Sequence, residues 1–186
     1  FAYMKDANLR FAELTGADLS NSDLRNARLD DANLREANLS KADLCEAVLE
    51  NANMSRAVLD KAYMGKAYLV STNLSGAELT WANLIEANLR FADLNEANLS
   101  KASLSKANLS KANLRGAVLR EADLRRAKLI GTKELTNEQL ATVKALNGAQ
   151  MCDSRVYDPA IHIEIVNLRK EAGLDNGIAP PVRIPF

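Results

Sequence analysis

Histidine occurs once, tryptophan once, cysteine twice and proline four times in this chain. Each scarcity excludes something. Two cysteines, Cys45 and Cys152, do not make a disulfide framework, and both read as free thiols of a reducing compartment. A lone His162 leaves no metal-spaced Cys/His set, and no Gly-rich phosphate cradle or nucleophile motif accompanies it. No metal or cofactor is expected. Apolar residues never run together long enough to approach the ~20 that a membrane-spanning helix needs. No secretion signal is visible. The chain opens at Phe1 without an initiator Met, so an upstream segment is expected to be missing. Net charge is also lacking, with 24 Lys and Arg against 24 Asp and Glu.

What is abundant is a repeat. A Leu or Met recurs every five residues from Met4 to Leu129 with no skip or insertion, 26 times in all. Ala stands two residues before it in 24 cases; Ser22 and Thr72 are the exceptions. A helix turns about 100° per residue, so five residues would scatter the Leu set by roughly 140° per step. A strand alternates faces, so an odd period would send successive Leu to opposite sides. One geometry gathers them: a chain that turns a corner once per repeat and points every Leu at a common axis. Four such sides would close a square coil every 20 residues.

The pattern Ala-(Asp/Asn)-Leu-x-x, as in Ala17-Asp18-Leu19, Ala32-Asn33-Leu34 and Ala92-Asp93-Leu94, resembles the pentapeptide-repeat family. That resemblance covers residues 2–131. It implies an all-β solenoid, a right-handed quadrilateral β-helix of about six and a half coils, and with stacked strands ~4.8 Å apart a rod roughly 30 Å long. The later tail resembles those of cyanobacterial and plastid members. The expected compartment is the cytoplasm, with the thylakoid lumen or periplasm as the alternative if a preceding segment carries a signal.

The expected division is a β-helix over 1–131, a capping helix over 132–148 and a tail over 149–186. Ala at the second inward position suits a crowded corner. Asn or Asp follows it in 15 of 26 repeats, and such side chains bond turn backbone and form stacked ladders. Five Asn-x-Ser sequons, at Asn38, Asn53, Asn73, Asn98 and Asn108, fall out of the repeat itself. A solenoid needs covered ends. Thr136 and Gln139 have capping-box spacing, and Leu135 and Leu140 have hydrophobic-staple spacing. Leu140, Val143 and Leu146 recur at helical spacing, and Gly148 suits a helix stop. Gln150 to Tyr157 reads as a small hairpin. Asp158-Pro159 reads as the start of a second helix running to Gly173, with Ile161–Ile165 equally readable as a strand. At the other end Phe1, Tyr3 and Phe11 crowd the first coil, and end-to-end self-association is expected there.

Catalytic residues sit on loops held by a scaffold, and 26 uninterrupted repeats supply no such loop. The expected function is a non-enzymatic protein–protein interaction scaffold on a rigid rod. The alternative implied by the family is a DNA mimic that binds a type II topoisomerase such as gyrase. Mimicry calls for a strongly acidic rod. Residues 1–100 carry 15 acids and 10 bases, net −5, while residues 101–130 carry 8 bases and 2 acids, net +6. Nucleic acid is therefore not the expected partner, and the identity of the protein partner is not legible. One outward column at 20-residue spacing reads Lys41, Lys61, Trp81, Lys101. Ile85 is beside Trp81, with Tyr63, Tyr68 and Val70 about one coil below. Large apolar side chains on an outer face mark interaction surfaces, so Trp81, Ile85, Tyr63, Tyr68, Val70, Lys61 and Lys101 are the candidate partner-binding residues. Cation–π contact of Trp81 with Lys61 and Lys101 is the competing structural role.

Overall fold

Backbone hydrogen-bond supply decides the architecture. The computed structural model describes residues 2–151 and 163–171, the side chains of 163 and 164 excepted. In the repeat 52–56, Ala52 N–H closes a turn on Leu49 O at 3.1 Å. Asn53 N–H donates back one coil to Ala32 O at 2.9 Å, and Met54 N–H donates forward one coil to Asn73 O at 2.7 Å. Arg56 N–H also donates forward, to Ser75 O at 2.9 Å. One N–H of the five is left, that of Ser55. It donates to the Oδ1 of Asn53 at 3.1 Å.

That last bond explains the Asn/Asp position. All fifteen such side chains accept the N–H two residues on, at 3.0–3.4 Å. In all five sequons the serine hydroxyl donates to the same oxygen, at 2.7–2.8 Å. The sequons are thus a local hydrogen-bond motif. Stacked amides add ladders 20 residues apart, as from Asn38 to Asp18 at 3.2 Å and from Asn113 to Asp93 at 3.0 Å.

Parallel bridges join residues 20 apart, from Tyr3 with Asp23 through Asn113 with Lys133. Four repeats therefore make one coil, and every side stacks on the same side of the next coil. Each side offers a single bridge residue between two turns, so no extended strand forms among the described residues. The expected β-helix is built from bridges, because two of every five residues are spent on the corner.

The corner has a fixed conformation. From Asp6 to Gly131 the second residue after each Leu or Met has φ between 56° and 66°. A positive φ at the third residue of a turn closed by an N–H to O bond marks type II. Only four of these 26 residues are Gly, yet none is Val, Ile, Thr or Pro. β-branched side chains and the proline ring do not tolerate this region.

The core follows. Every Leu and Met of the repeat from Leu24 to Leu129 is buried, as is each Ala between them. The two exceptions to Ala are satisfied. Ser22 Oγ donates to Leu19 O at 2.6 Å and Thr72 Oγ1 to Leu49 O at 2.7 Å. At the N-terminal end Met4, Leu9 and Leu14 are only partly covered, and Tyr3 and Phe11 are exposed.

The C-terminal end differs from expectation. Helix α1 spans only Asn137–Ala141, not 132–148. The capping box is formed: Thr136 accepts from Gln139 N–H, and the Gln139 side chain accepts from Thr136 N–H. Gln139 Nε2 also donates to Leu114 O at 2.9 Å, which already closes the turn with Ala117 N–H, and to Ala117 O at 2.8 Å, a carbonyl of the kind that elsewhere accepts from the next coil. After α1 the coil resumes with two extra residues, pairing Asp123 with Ala145 and Lys128 with Gln150. Leu146 and Met151 are again buried, and Gly148 takes φ 73° at a corner, so Leu140, Val143 and Leu146 do not share a helix face and Gly148 is not a helix stop. The ladder thus runs past residue 131 to Gln150. Helix α2 spans Ile163–Glu171 and packs against α1. The expected hairpin over 150–157 falls, apart from Gln150 and Met151, outside the described residues, as do Cys152, His162 and the chain beyond 171.

Two substitutions test this account. Asn73→Ala removes the acceptor for Ser75 N–H and is expected to cost about 1 kcal/mol, whereas Asn73→Asp keeps the acceptor and is expected to be near neutral in thermal unfolding. Leu140→Asp buries an unpaired charge against the coil end and is expected to cost at least about 3 kcal/mol. Calorimetry in which Leu140→Asp melts like the parent protein would remove α1 from the cap.

Candidate partner-binding face

The corner conformation sets where the large side chains go. Trp81 is a corner residue with φ 61°, so its ring stands off the rod and remains 55% exposed. Its N–H is tied to Ser100 O at 3.1 Å, which fixes the backbone beneath the ring. Lys101, directly above in the next coil, places Nζ 4.9 Å from the ring centroid. The same ammonium is 3.9 Å from Glu121. Lys61, below, pairs with its neighbour Asp60 at 3.3 Å. The cation–π partner of Trp81 is thus Lys101.

Ile85 occupies the corner at the other edge of the same side, with Asn83 between them. Tyr63 is on this side one coil below, bridged to Asn83, and is 52% exposed. Trp81, Ile85, Tyr63, Lys61 and Lys101 therefore frame one side. Tyr68 is on the neighbouring side, in the ladder with Val48 and Asn88, and Val70 lies at that side's far corner. These two do not join the Trp81 group.

Above Trp81 the side deepens into a cleft of about 650 Å³. Its wall continues through Lys101, Ser103, Glu121, Asp123, Thr142, Val143 and Lys144, and Arg169 of α2 closes it. Arg169 is buried, and its Nη1 donates to Ala141 O at 3.4 Å and to Val143 O. Burial pushes the Asp123 carboxyl up, but two side-chain contacts from Arg125, its backbone N–H and its charge outweigh this and hold it below the ordinary value. Cys45 lies lower on the same edge, beneath Gly65 and Ile85. Burial, with Asp43 beside it, raises its thiol, so it is a poor nucleophile.

Sequence reasoning missed Phe91, which has the same corner position as Trp81 and is 45% exposed under Arg90 and Lys111. The test applied to Trp81 would have found it. Arg169, Val143 and Lys144 carried no such signal, since their place depends on how the irregular C-terminal segment packs. Among the described residues no group of His, Cys, Asp and Glu could hold a metal ion, and no helix is long and apolar enough to cross a membrane.

Pentapeptide repeats match eight times, over residues 2–40, 37–76, 62–100, 72–110 and 97–133. The chain belongs to the pentapeptide-repeat family. Members form right-handed quadrilateral β-helices, and the 20-residue ladder is that coil. HetL of the cyanobacterium Nostoc, involved in regulating heterocyst differentiation, is 31% identical over 84% of this chain and 92% of its own, with a TM-score of 0.30. A thylakoid-lumen pentapeptide-repeat protein of Arabidopsis thaliana is 32% identical over 48% of this chain and 66% of its own, with a TM-score of 0.43. The plasmid-mediated fluoroquinolone resistance protein QnrB1 is 18% identical over 84% of this chain and 83% of its own, with a TM-score of 0.65, a likeness of fold. A comparison with curated proteins finds no match.

The depressed Asp123 value has a testable consequence. Its contribution with Arg125 is present above the ordinary carboxylate value of 3.8 and is lost as pH falls through the lowered one. Arg125→Ala is expected to move the Asp123 titration midpoint upward in a carboxylate carbon NMR titration; an unmoved midpoint would show that the pair does not form in solution.

Proposed function

We propose that this pentapeptide-repeat protein is a non-enzymatic interaction scaffold whose partner, a protein, docks on the side carrying Trp81. One observation carries the reading. Trp81, Ile85 and Tyr63, three large apolar side chains, stay substantially exposed on one side of a rod whose outer positions are otherwise mostly polar. Nothing in the coil requires them there. Ser, Lys or Glu serves the same corner elsewhere with the same φ, as at Ser71, Lys41 and Glu46. Exposed aromatic and aliphatic clusters on a rigid support favour macromolecular contact. The rigid coil also lowers the ordering cost of binding. The cation–π contact with Lys101 does not compete with this role, since it leaves the ring more than half open.

The topoisomerase-directed DNA mimic is the weaker proposal. Mimicry depends on a field of one sign, and here ion pairs of both signs run along the rod, as between Lys106 and Glu86 at 2.8 Å.

Trp81→Ser combined with Ile85→Ser is expected to change stability by less than about 1 kcal/mol, as exposed substitutions do. Ser71 shows that serine accepts the corner conformation. The double variant, immobilised beside the parent protein in native extract, is expected to lose the specifically retained protein. Retention unchanged by the double substitution would place the docking face elsewhere, and inhibition of gyrase supercoiling by the parent would favour the mimic.

A further inference from the structure

Charge in the cleft above Trp81 is unevenly answered. Of its two acids, Asp123 is engaged by Arg125 through a two-point contact, and Glu121 lies 3.9 Å from Lys101 and 3.7 Å from Arg120. Lys144 makes no ion pair among the described residues and is exposed. Its charge acts on Asp123, which Arg125 already engages. Arg169 is 95% covered, spends Nη1 on two backbone carbonyls and leaves Nε without an acceptor among the described residues. No carboxylate lies within ion-pair distance of it among the described residues. Among the described residues its charge is therefore unanswered, and it adds to the positive potential at that end of the cleft.

The cleft is thus apolar at Trp81 and Ile85, where Lys101 lies over the Trp81 ring and pairs with Glu121, polar at Ser103 and Thr142, and at its far end, beyond the Arg125-paired Asp123, positive at Lys144 and Arg169. These features succeed one another along the rod axis, since 81, 101, 121 and 142 climb one edge. Three coil steps at ~4.8 Å separate the apolar end from the positive end by about 14 Å. An extended peptide advances about 3.3 Å per residue, so about four residues span that distance. We propose that the cleft docks an extended acidic segment of the protein partner, with an apolar side chain on Trp81 and Ile85 and a carboxylate about four residues away at Lys144 and Arg169. This rests on the scaffold reading of the same side and adds the chemistry of what it recognises.

Trp81 is the single tryptophan, so its emission reports the site directly. The probe is the synthetic peptide acetyl-Phe-Ser-Ser-Ser-Glu-Ser-amide, compared with the same peptide carrying Lys in place of Glu. The acidic peptide is expected to change the emission saturably at millimolar concentration and to bind about tenfold more tightly than its Lys counterpart. Added salt is expected to erode that difference. Lys144→Glu, an exposed change that leaves the core intact, is expected to abolish the preference. Equal binding of the two peptides, or no saturable change with either, overturns the proposal. A concentration-dependent dimer in sedimentation velocity that Lys144→Glu dissolves would make the occupant a second copy and overturn it as well, as would tighter binding of a single-stranded oligonucleotide. Should the Trp81 and Ile85 double substitution abolish retention of the native partner while the acidic peptide fails to bind, the scaffold reading stands and this one falls.

Discussion

The hydrogen bond from each non-glycine corner residue to the coil above it governs the rest of this molecule. A non-glycine residue at positive φ is disfavoured by about 1 kcal/mol or more, and 22 such residues recur in the repeat. Each persists because its N–H is committed to a carbonyl one coil on, as from Lys61 to Thr80 at 2.9 Å. The corner cannot relax without losing that bond, and the bond cannot form unless the corner is held. Stacking and turning are therefore one interaction counted from two directions. The square section, the inward Leu and the columns of outward side chains all follow from it.

Once the backbone is occupied in this way, the outer positions are released from structural duty. The exception is the Asn/Asp site, whose oxygen takes the one N–H that the ladder leaves over. Elsewhere the surface can carry Lys, Glu, Tyr or Trp on an unchanged frame, and a residue and its twentieth successor meet as stacked neighbours. Trp81 under Lys101 is such a pair, as is Lys106 with Glu86. The coil is thus a ruled surface on which contacts can be set at intervals of one coil step along the axis and one side around it. Function on such a frame resides in which columns break the polar pattern.

Termination is where the repeat stops supplying its own partners. The last full sides leave carbonyls that would have met another coil, and Gln139, from a helix of five residues, meets one of them at Ala117 while also donating to the turn carbonyl of Leu114. The two-residue insertion that accommodates α1 shifts the following Leu146 and Met151 out of the original phase while keeping both buried. The same irregularity brings Val143, Lys144 and Arg169 to the rim of the Trp81 side, so the cap and the upper cleft are one construction.

Period and composition alone determined a coil that turns once per repeat, the inward Leu and Ala and the outward placing of Trp81, because neither a helix nor a flat strand gathers a Leu set of period five. The four sides were implied by the resemblance to pentapeptide repeats and are shown by the 20-residue ladder. They also determined the Thr136–Gln139 capping box, a contact between residues three apart. The resumption of the coil after α1 was hidden, because Ala145-Leu146 and Ala149-Gln150-Met151 lie two residues out of phase and imitate a helical spacing with Leu140. Which candidates share a side was settled in three dimensions: Tyr63 joins Trp81 and Tyr68 turns away, since five residues carry the chain around one corner. The pairing of Trp81 with Lys101 over Lys61 and the arrival of Arg169 at the upper end of the cleft were decided only by tertiary structure. Side-chain reach and the packing of a non-repeating segment obey no period, and the contacts they make join residues 20 or more apart in the chain.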